Sequence, residues 1–261
     1  MTETALPADD LLARRDGAVL WLTINRPERR NAMSAAVVEG LIEQLANANQ
    51  DRDLRAIVLT GAGEKAFCSG ADLQTGKSFA FDYAEPRQGF ANLLRAAHAT
   101  HVPLIARVNG ACMAGGMGLL AMCDLAIAAP QARFGLPEVK VGVFPAQVLS
   151  VLQGLIGRRA LADLCITGEA IGARQALAIG LVNEVAEDLD AAVEKLLARI
   201  VDKSPAAIRR GLYLMKHLEA LPFEQSIAFT ESQIGLFALT EDAREGQAAF
   251  REKRAPLWSG R

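Results

Sequence analysis

Apolar residues follow two alternating rhythms along this chain. Residues 18–25, AVLWLTIN, form a β-branched and aromatic run closed by Arg26 and Pro27, which predicts a strand. Ser34 then stands as a helix N-cap, and Val37, Val38, Leu41, Ile42 and Leu45 recur at helical spacing. Residues 54–60, LRAIVLT, make a second apolar strand ended by Gly61, Ala62 and Gly63. Strand, helix and strand in so short a span predict a right-handed parallel crossover.

Residues 74–88 lose periodicity and collect polar and turn-forming types, so a loop is expected there. Phe90, Leu93, Leu94 and Ala97 restore a helix, and residues 101–108 predict a third strand running into NGACMAGGMG. Residues 119–129 mix helix and strand, and residues 134–143 read as a turn followed by a strand-like stretch. Beyond Pro145 helical patterns dominate, over 149–156, 160–167, 173–179, 191–201, 205–218 and 223–239. That change of character places a boundary near residues 190–200, between an α/β core and a helical C-terminal portion.

Composition narrows the function classes. The 261 residues are 51% hydrophobic, enough for one sizeable core. With 28 basic against 30 acidic groups the net charge is -2, and no basic excess exists to meet a nucleic-acid backbone. The first ten residues lack a basic start with an apolar run behind it, and no apolar segment reaches the ~18 residues of a membrane helix. Cys68, Cys112, Cys123 and Cys165 show no CxxC pairing and sit among apolar or small residues, as buried reduced thiols of a cytoplasmic protein would. His98, His101 and His217 form no ligand set with them, so no metal site is expected; capping or surface roles suit His98 and His101.

Glycines offer the first candidate chemistry. Gly61, Gly63 and Ala66 follow a strand and fit a loosened dinucleotide pattern, but Phe67, Cys68, Ser69 and Gly70 bring another turn where a helix should begin. The cluster Ala114, Gly115, Gly116, Met117 and Gly118 precedes Leu119, Leu120 and Met122 and is placed to open a helix. Free N–H groups at a helix start stabilise an anion, although close packing of helix on sheet also calls for glycine. No Lys-Ser or Lys-Thr follows, which excludes a P-loop.

Six segments in order resemble the motifs of the enoyl-CoA hydratase/isomerase (crotonase) family. They are TINRPERRNAM (23–33), KAFCSGADL (65–73), ARVNGACMAGGMGLLAMCDLAIA (106–128), FGLPEVKVGVFP (134–145), TGEAIGARQALAIGLVNEV (167–185) and LTEDAREGQAAFREKR (239–254). The resemblance implies an α/β fold, a crotonase-like spiral of ββα turns over residues 1–195, with a helical C-terminal trimerisation region over 196–261 and a homotrimer or homohexamer. It implies an oxyanion hole from the backbone N–H groups of Ala71 and Gly115. Ser69, Gly70, Asp72 and Leu73 match positions along the adenine and pantetheine arm. Arg30 matches one near the CoA phosphates, and Phe250 and Lys253 match C-terminal positions that approach CoA, commonly from an adjacent subunit. The substrate brings coenzyme A with it, and no other cofactor is expected.

The resemblance also sets a departure. Family hydratases usually present two glutamates; Glu138 in FGLPEV matches the second, whereas the position of the first is Gly118. Ala146 follows Phe144 and Pro145 where hydratases often carry glycine. A single carboxylate can move a proton from one carbon to another, which suits double-bond isomerisation, or it can activate water and then protonate the α-carbon. Asp82, Tyr83 and Glu85 in the expected loop are candidates to replace the missing acid, while Asp124 suits a structural role. A non-catalytic acyl-CoA-binding protein is the rival from another class, and a nicotinamide-dependent dehydrogenase the third.

Overall fold

In a computed structural model that describes residues 10–72, 84 and 88–261, Leu11–Asp16 (β1) and Val19–Ile24 (β2) form an antiparallel hairpin across Gly17. Gly17 sits at φ +54°, the left-handed conformation such a tight turn asks of glycine. The expected crossover follows: helix Ala35–Gln50 (α1) leads to Ala56–Gly61 (β3), which lies parallel to β2. Ser34 caps α1 as expected, its hydroxyl accepting the Val37 N–H at 3.2 Å.

From β3 the chain winds as a spiral in which each turn lays one strand on each of two sheets. Ala66–Cys68 (β4) and Gly89–His98 (α2) complete the first turn. Leu104–Val108 (β5), Ala111–Met113 (β6) and Gly115–Ala121 (α3) make the second, and Leu125–Ala128 (β7) with Arg133–Gly135 (β8) begins the third. Then come a 3-10 turn at Pro137–Val141, Ala146–Leu152 (α4), Arg158–Thr167 (α5), Ile171–Gly172 (β9), Ala173–Ala178 (α6), Glu184–Val185 (β10) and Leu189–Val201 (α7). Pro205–Leu218 (α8), Phe223–Ala238 (α9) and Glu241–Glu252 (α10) close the described chain. The larger sheet has the order β1-β2-β3-β5-β7-β10 and the smaller β4-β6-β8-β9.

β3 is buried on both faces, which is why AIVLTG reads as an unbroken apolar run. Ile57 and Leu59 join Leu22, Ile24, Leu41, Leu45, Phe67, Leu93 and Phe134 in the main core, while Ala56 and Val58 face Val193 and Leu197 of α7. The 195/196 boundary expected from the sequence falls inside α7. Over 134–143 the expected order is corrected: the strand comes first and the 3-10 turn second. Pro137 starts that turn, Gly142 ends it at φ +79°, and the alternating Val139, Val141 and Val143 stay on the surface. Among the described residues no helix is long and apolar enough to cross a membrane.

Candidate active site

Strands β4, β6 and β8 lie side by side and parallel, with Cys68 opposite Cys112 and Met113 opposite Gly135. Their carboxyl ends therefore open along one edge, at a strand spacing of about 4.8 Å. The segments leaving them are residues 69–72, residues 114–115 and the 3-10 turn that carries Glu138. Room for a ligand arises in α/β sheets outside such carboxyl ends.

Two glycines let the first two segments touch backbone to backbone. Gly70 sits at φ +100°, and a Cβ on it would lie 2.8 Å from Ala114 Cβ and 3.2 Å from the Gly115 nitrogen. A Cβ on Gly115 would lie 2.6 Å from Met33 Cε and 3.8 Å from the Ala71 nitrogen. Ala114 holds φ +50° although it is not glycine, and its N–H donates to Gly135 O at 2.9 Å. Such strain persists only where the surroundings hold it, commonly at functional sites.

Two N–H groups are left without acceptors among the described residues. Ala71 pairs with Met33 in an isolated parallel bridge: Met33 N–H donates to Gly70 O at 2.8 Å, and Asp72 N–H donates to Met33 O at 3.0 Å. Peptide groups alternate in direction along such a pairing, so the Ala71 N–H points away from Met33. Gly115 opens α3, where an N–H has no partner in its own helix. Among the described residues neither N–H has an acceptor, and a Cβ on Gly115 would come within 3.8 Å of the Ala71 nitrogen.

Glu138 supplies the carboxylate of this edge. It is half-buried, and its Oε2 is sealed from solvent with no hydrogen-bond partner among the described residues. Burial pushes its pKa up, against a smaller lowering by its own backbone N–H. A carboxyl that holds its proton more readily than usual, at the end of parallel strands, is suited to giving and taking protons. At position 118 a Cβ would lie 2.7 Å from Phe90 Cζ and 3.4 Å from Val148 Cγ2, so the space of a side chain there is filled by apolar groups. Ala146, the other departure, is the exposed first residue of α4.

The remaining expected positions divide. Ser69 is half-buried beside Arg30, its N–H donating to Arg30 O at 3.1 Å and its hydroxyl to Arg29 O at 3.4 Å. Arg30 is exposed at φ +51°. The Asp72 side chain is 5% exposed and its Oδ2 meets Arg26 Nη2 at 2.7 Å, so its carboxylate is engaged with arginine and only its backbone is left to border a CoA arm. Leu73, Asp82, Tyr83 and Glu85 lie outside the described residues. Phe250, 87% exposed, and Lys253, at φ +53°, stand at the end of α10 in the C-terminal layer. Asp124 accepts the Leu104 N–H at 2.8 Å and pairs with Lys216 at 3.7 Å.

Several residues escaped the sequence reading. Asn31, fully buried, donates to Ala62 O at 3.0 Å and Ala66 O at 2.7 Å. Asn109 donates to Gly61 O at 2.9 Å and Gly63 O at 2.6 Å. The Asn109-Gly110 pair is a turn signal that could have drawn attention to this anchor. These contacts also remove the dinucleotide reading, because the chain enters β4 instead of a helix and Asn31 Nδ2 fills the space of a Gly61 side chain. Cys68, its thiol pushed up to about 12 by burial, accepts the Gly70 N–H at 3.4 Å. Among the described residues no three His, Cys, Asp or Glu side chains gather as a metal site would need.

The chain matches the family model described as enoyl-CoA hydratase/isomerase over residues 14–261. It is 34% identical to a 2,3-dehydroadipyl-CoA hydratase of Escherichia coli K12, covering 97% of this chain and 99% of that protein. It is also 34% identical to an (E)-benzylidenesuccinyl-CoA hydratase of Thauera aromatica, covering 93% and 96%. A solved structure of an enoyl-CoA hydratase from Mycobacterium smegmatis superposes with a TM-score of 0.87 at 35% identity, covering 95% of this chain and 98% of that one.

Proposed function

The chain belongs to the enoyl-CoA hydratase/isomerase family, and from that premise we propose that it processes an enoyl-CoA thioester through an enolate, with Glu138 as its one acid/base. The Ala71 and Gly115 N–H groups receive the thioester oxygen. As a proton leaves or joins the neighbouring carbon, negative charge develops on that oxygen, and preorganised donors stabilise it by about 2.7–4 kcal/mol each. Arg30, Ser69 and Gly70 border the approach of the CoA arm, and Phe250 and Lys253 reach CoA in a neighbouring subunit's site. Coenzyme A arrives with the substrate, and no further cofactor enters the reaction.

The observation that carries this reading is the Glu138 Oε2, without a partner among the described residues, on the strand edge from which the Ala71 and Gly115 segments also leave. Phe90 fills the space beside Gly118, so a second carboxylate does not share the site there. One carboxylate shuttling a proton between two carbons is double-bond migration. Hydration is the second reading, favoured by the hydratase names of the relatives. There Glu138 first takes a proton from water and then returns it to the α-carbon.

Incubating the protein with 2-enoyl- and 3-enoyl-CoA thioesters in heavy water tests both. Hydroxyl incorporation at C3 marks hydration, and deuterium at a migrated position marks isomerisation. A Glu138→Gln variant should lose turnover; equal turnover would remove Glu138 as the acid/base, and CoA-thioester binding by a wild-type protein that turns over neither substrate would leave a non-catalytic acyl-CoA-binding protein. For the assembly, Phe223 and Ile234 of α9, exposed at 75% and 70%, support association of the C-terminal helices into a trimer.

A further inference from the structure

We infer that Arg26 and Asp72 are positioning residues, a buried ion pair that aims the Ala71 N–H at the thioester oxygen. This rests on the oxyanion reading given above. Asp72 is the residue after Ala71, so its placement sets the direction of the preceding peptide groups. Its side chain is 5% exposed and that of Arg26 10%.

The Arg26 guanidinium spends each of its nitrogens on a different part of the edge. Nη2 meets Asp72 Oδ2 at 2.7 Å, Nη1 donates to Ala32 O at 2.6 Å, and Nε meets Asp10 Oδ2 at 3.3 Å. Ala32 precedes Met33, the bridge partner of Ala71. One rigid planar fork therefore grips both sides of the bridge, from Ala32 on one strand and from Asp72 on the other. Arg29 Nη1 adds a longer contact to Asp72 Oδ2 at 3.6 Å.

The backbone on the Arg26 side is shaped to make this possible. Arg30 and Asn31 take φ +51° and +55° in succession, a conformation that costs a non-glycine residue energy, and Asn31 Oδ1 accepts the Arg26 N–H at 3.1 Å. That turn also presents Arg30 O to the Ser69 N–H at 3.1 Å. Residues 69, 70 and 72 are thus held from one side, while the Ala71 N–H is directed to the other. A catalytic donor needs such placement, since a displacement of about 1 Å can cost ~100-fold in rate.

The test compares Asp72→Asn, Arg26→Lys and the double variant Arg26→Met/Asp72→Leu, which leaves no charge orphaned if a single variant fails to fold. Acetoacetyl-CoA serves as probe, because its bound enolate is seen by absorbance without turnover; free CoA serves as control. Kinetics with a four-carbon enoyl-CoA accompany it. The expected result is a loss of roughly 10–100-fold in enolate affinity and in kcat, with free-CoA affinity and KM within about threefold of the wild-type protein. A rise in KM at unchanged kcat would instead put Asp72 on the CoA arm and overturn the inference. So would unchanged enolate affinity in folded variants. If the wild-type protein itself stabilises no enolate, the oxyanion reading falls, and this inference with it; if it does and the variants match it, only the inference falls.

Discussion

Gly115 is asked for two things at once, a free N–H and no side chain. A Cβ there would meet Met33 Cε, the mobile end of a flexible chain, yet it would also stand 3.8 Å from the Ala71 nitrogen, the other proposed donor. Gly115→Ala is therefore expected to fold with a melting temperature close to that of the wild-type protein and to lose about 100-fold in kcat, by steady-state assay and thermal unfolding. Glu138 makes a pH prediction whose sign follows from burial. A buried carboxyl favours its neutral form, so its folded pKa lies above the ordinary glutamate value of about 4.3. Proton abstraction needs the ionised form, so the acid limb of kcat/KM should lie above that value and vanish with Glu138→Gln. The same raised pKa means that any stability it contributes is present below the unfolded pKa and lost as pH rises through the folded one. At neutral pH Glu138→Gln should then be as stable as the wild-type protein or more so, read from chemical unfolding.

At the scale of elements, Asp242 joins three separate pieces of the C-terminal layer. Buried at the start of α10, it accepts from Ser204 Oγ at 2.8 Å and Ala206 N–H at 3.2 Å in front of α8, and from the Ser259 and Gly260 N–H groups at 2.8 and 3.0 Å in the tail. Desolvation raises its pKa, but these four donors outweigh it and the net direction is down. A depressed acid contributes stability above its unfolded pKa of about 3.9 and loses it as pH falls through the folded value. Asp242→Ala should cost roughly 2–4 kcal/mol near neutrality, since hydrogen bonds to a charged group are worth more than neutral ones, and the gap to the wild-type protein should close in acid. None of this was legible beforehand, because Asp242 and residues 259–260 meet only through the fold. Elements with many residues of one rhythm were legible: β2, α1, β3 and α8 sit where the pattern put them. The small sheet was not, since β4, β6 and β8 have three residues each, too few for alternation to register. Yet those strands carry the site. What exposed it was the glycines their ends require and the resemblance of the segments around them, and neither pointed to Arg26, whose partners lie 6 and 46 positions away.

Over the whole molecule, apolar surface is unevenly spent. The two sheets and α7 bury theirs within the chain, while α9 leaves Phe223, Ile227, Ile234 and Leu236 exposed at 75%, 43%, 70% and 39%, and α10 adds Phe250 at 87%. α9 buries just one residue, the polar Gln233, whose Oε1 accepts from Arg210 at 3.1 Å. A 16-residue helix so poor in intrachain core would be marginal by itself, because most helix stability comes from packing an apolar face. The proposed association of copies through this layer would supply the missing packing and would also bring Phe250 and Lys253 toward a neighbour's strand edge. Ile234→Asp separates these effects from folding of the core. Ile234 is 70% exposed in the single chain, so the substitution removes little intrachain burial, and core melting should change by less than about 1 kcal/mol. Sedimentation should shift from an assembly toward single chains, while KM for enoyl-CoA rises because a contact from the adjacent copy is withdrawn. An unchanged sedimentation profile would place the assembly elsewhere, and a monomer with unchanged KM would confine the CoA contacts to residues of one chain.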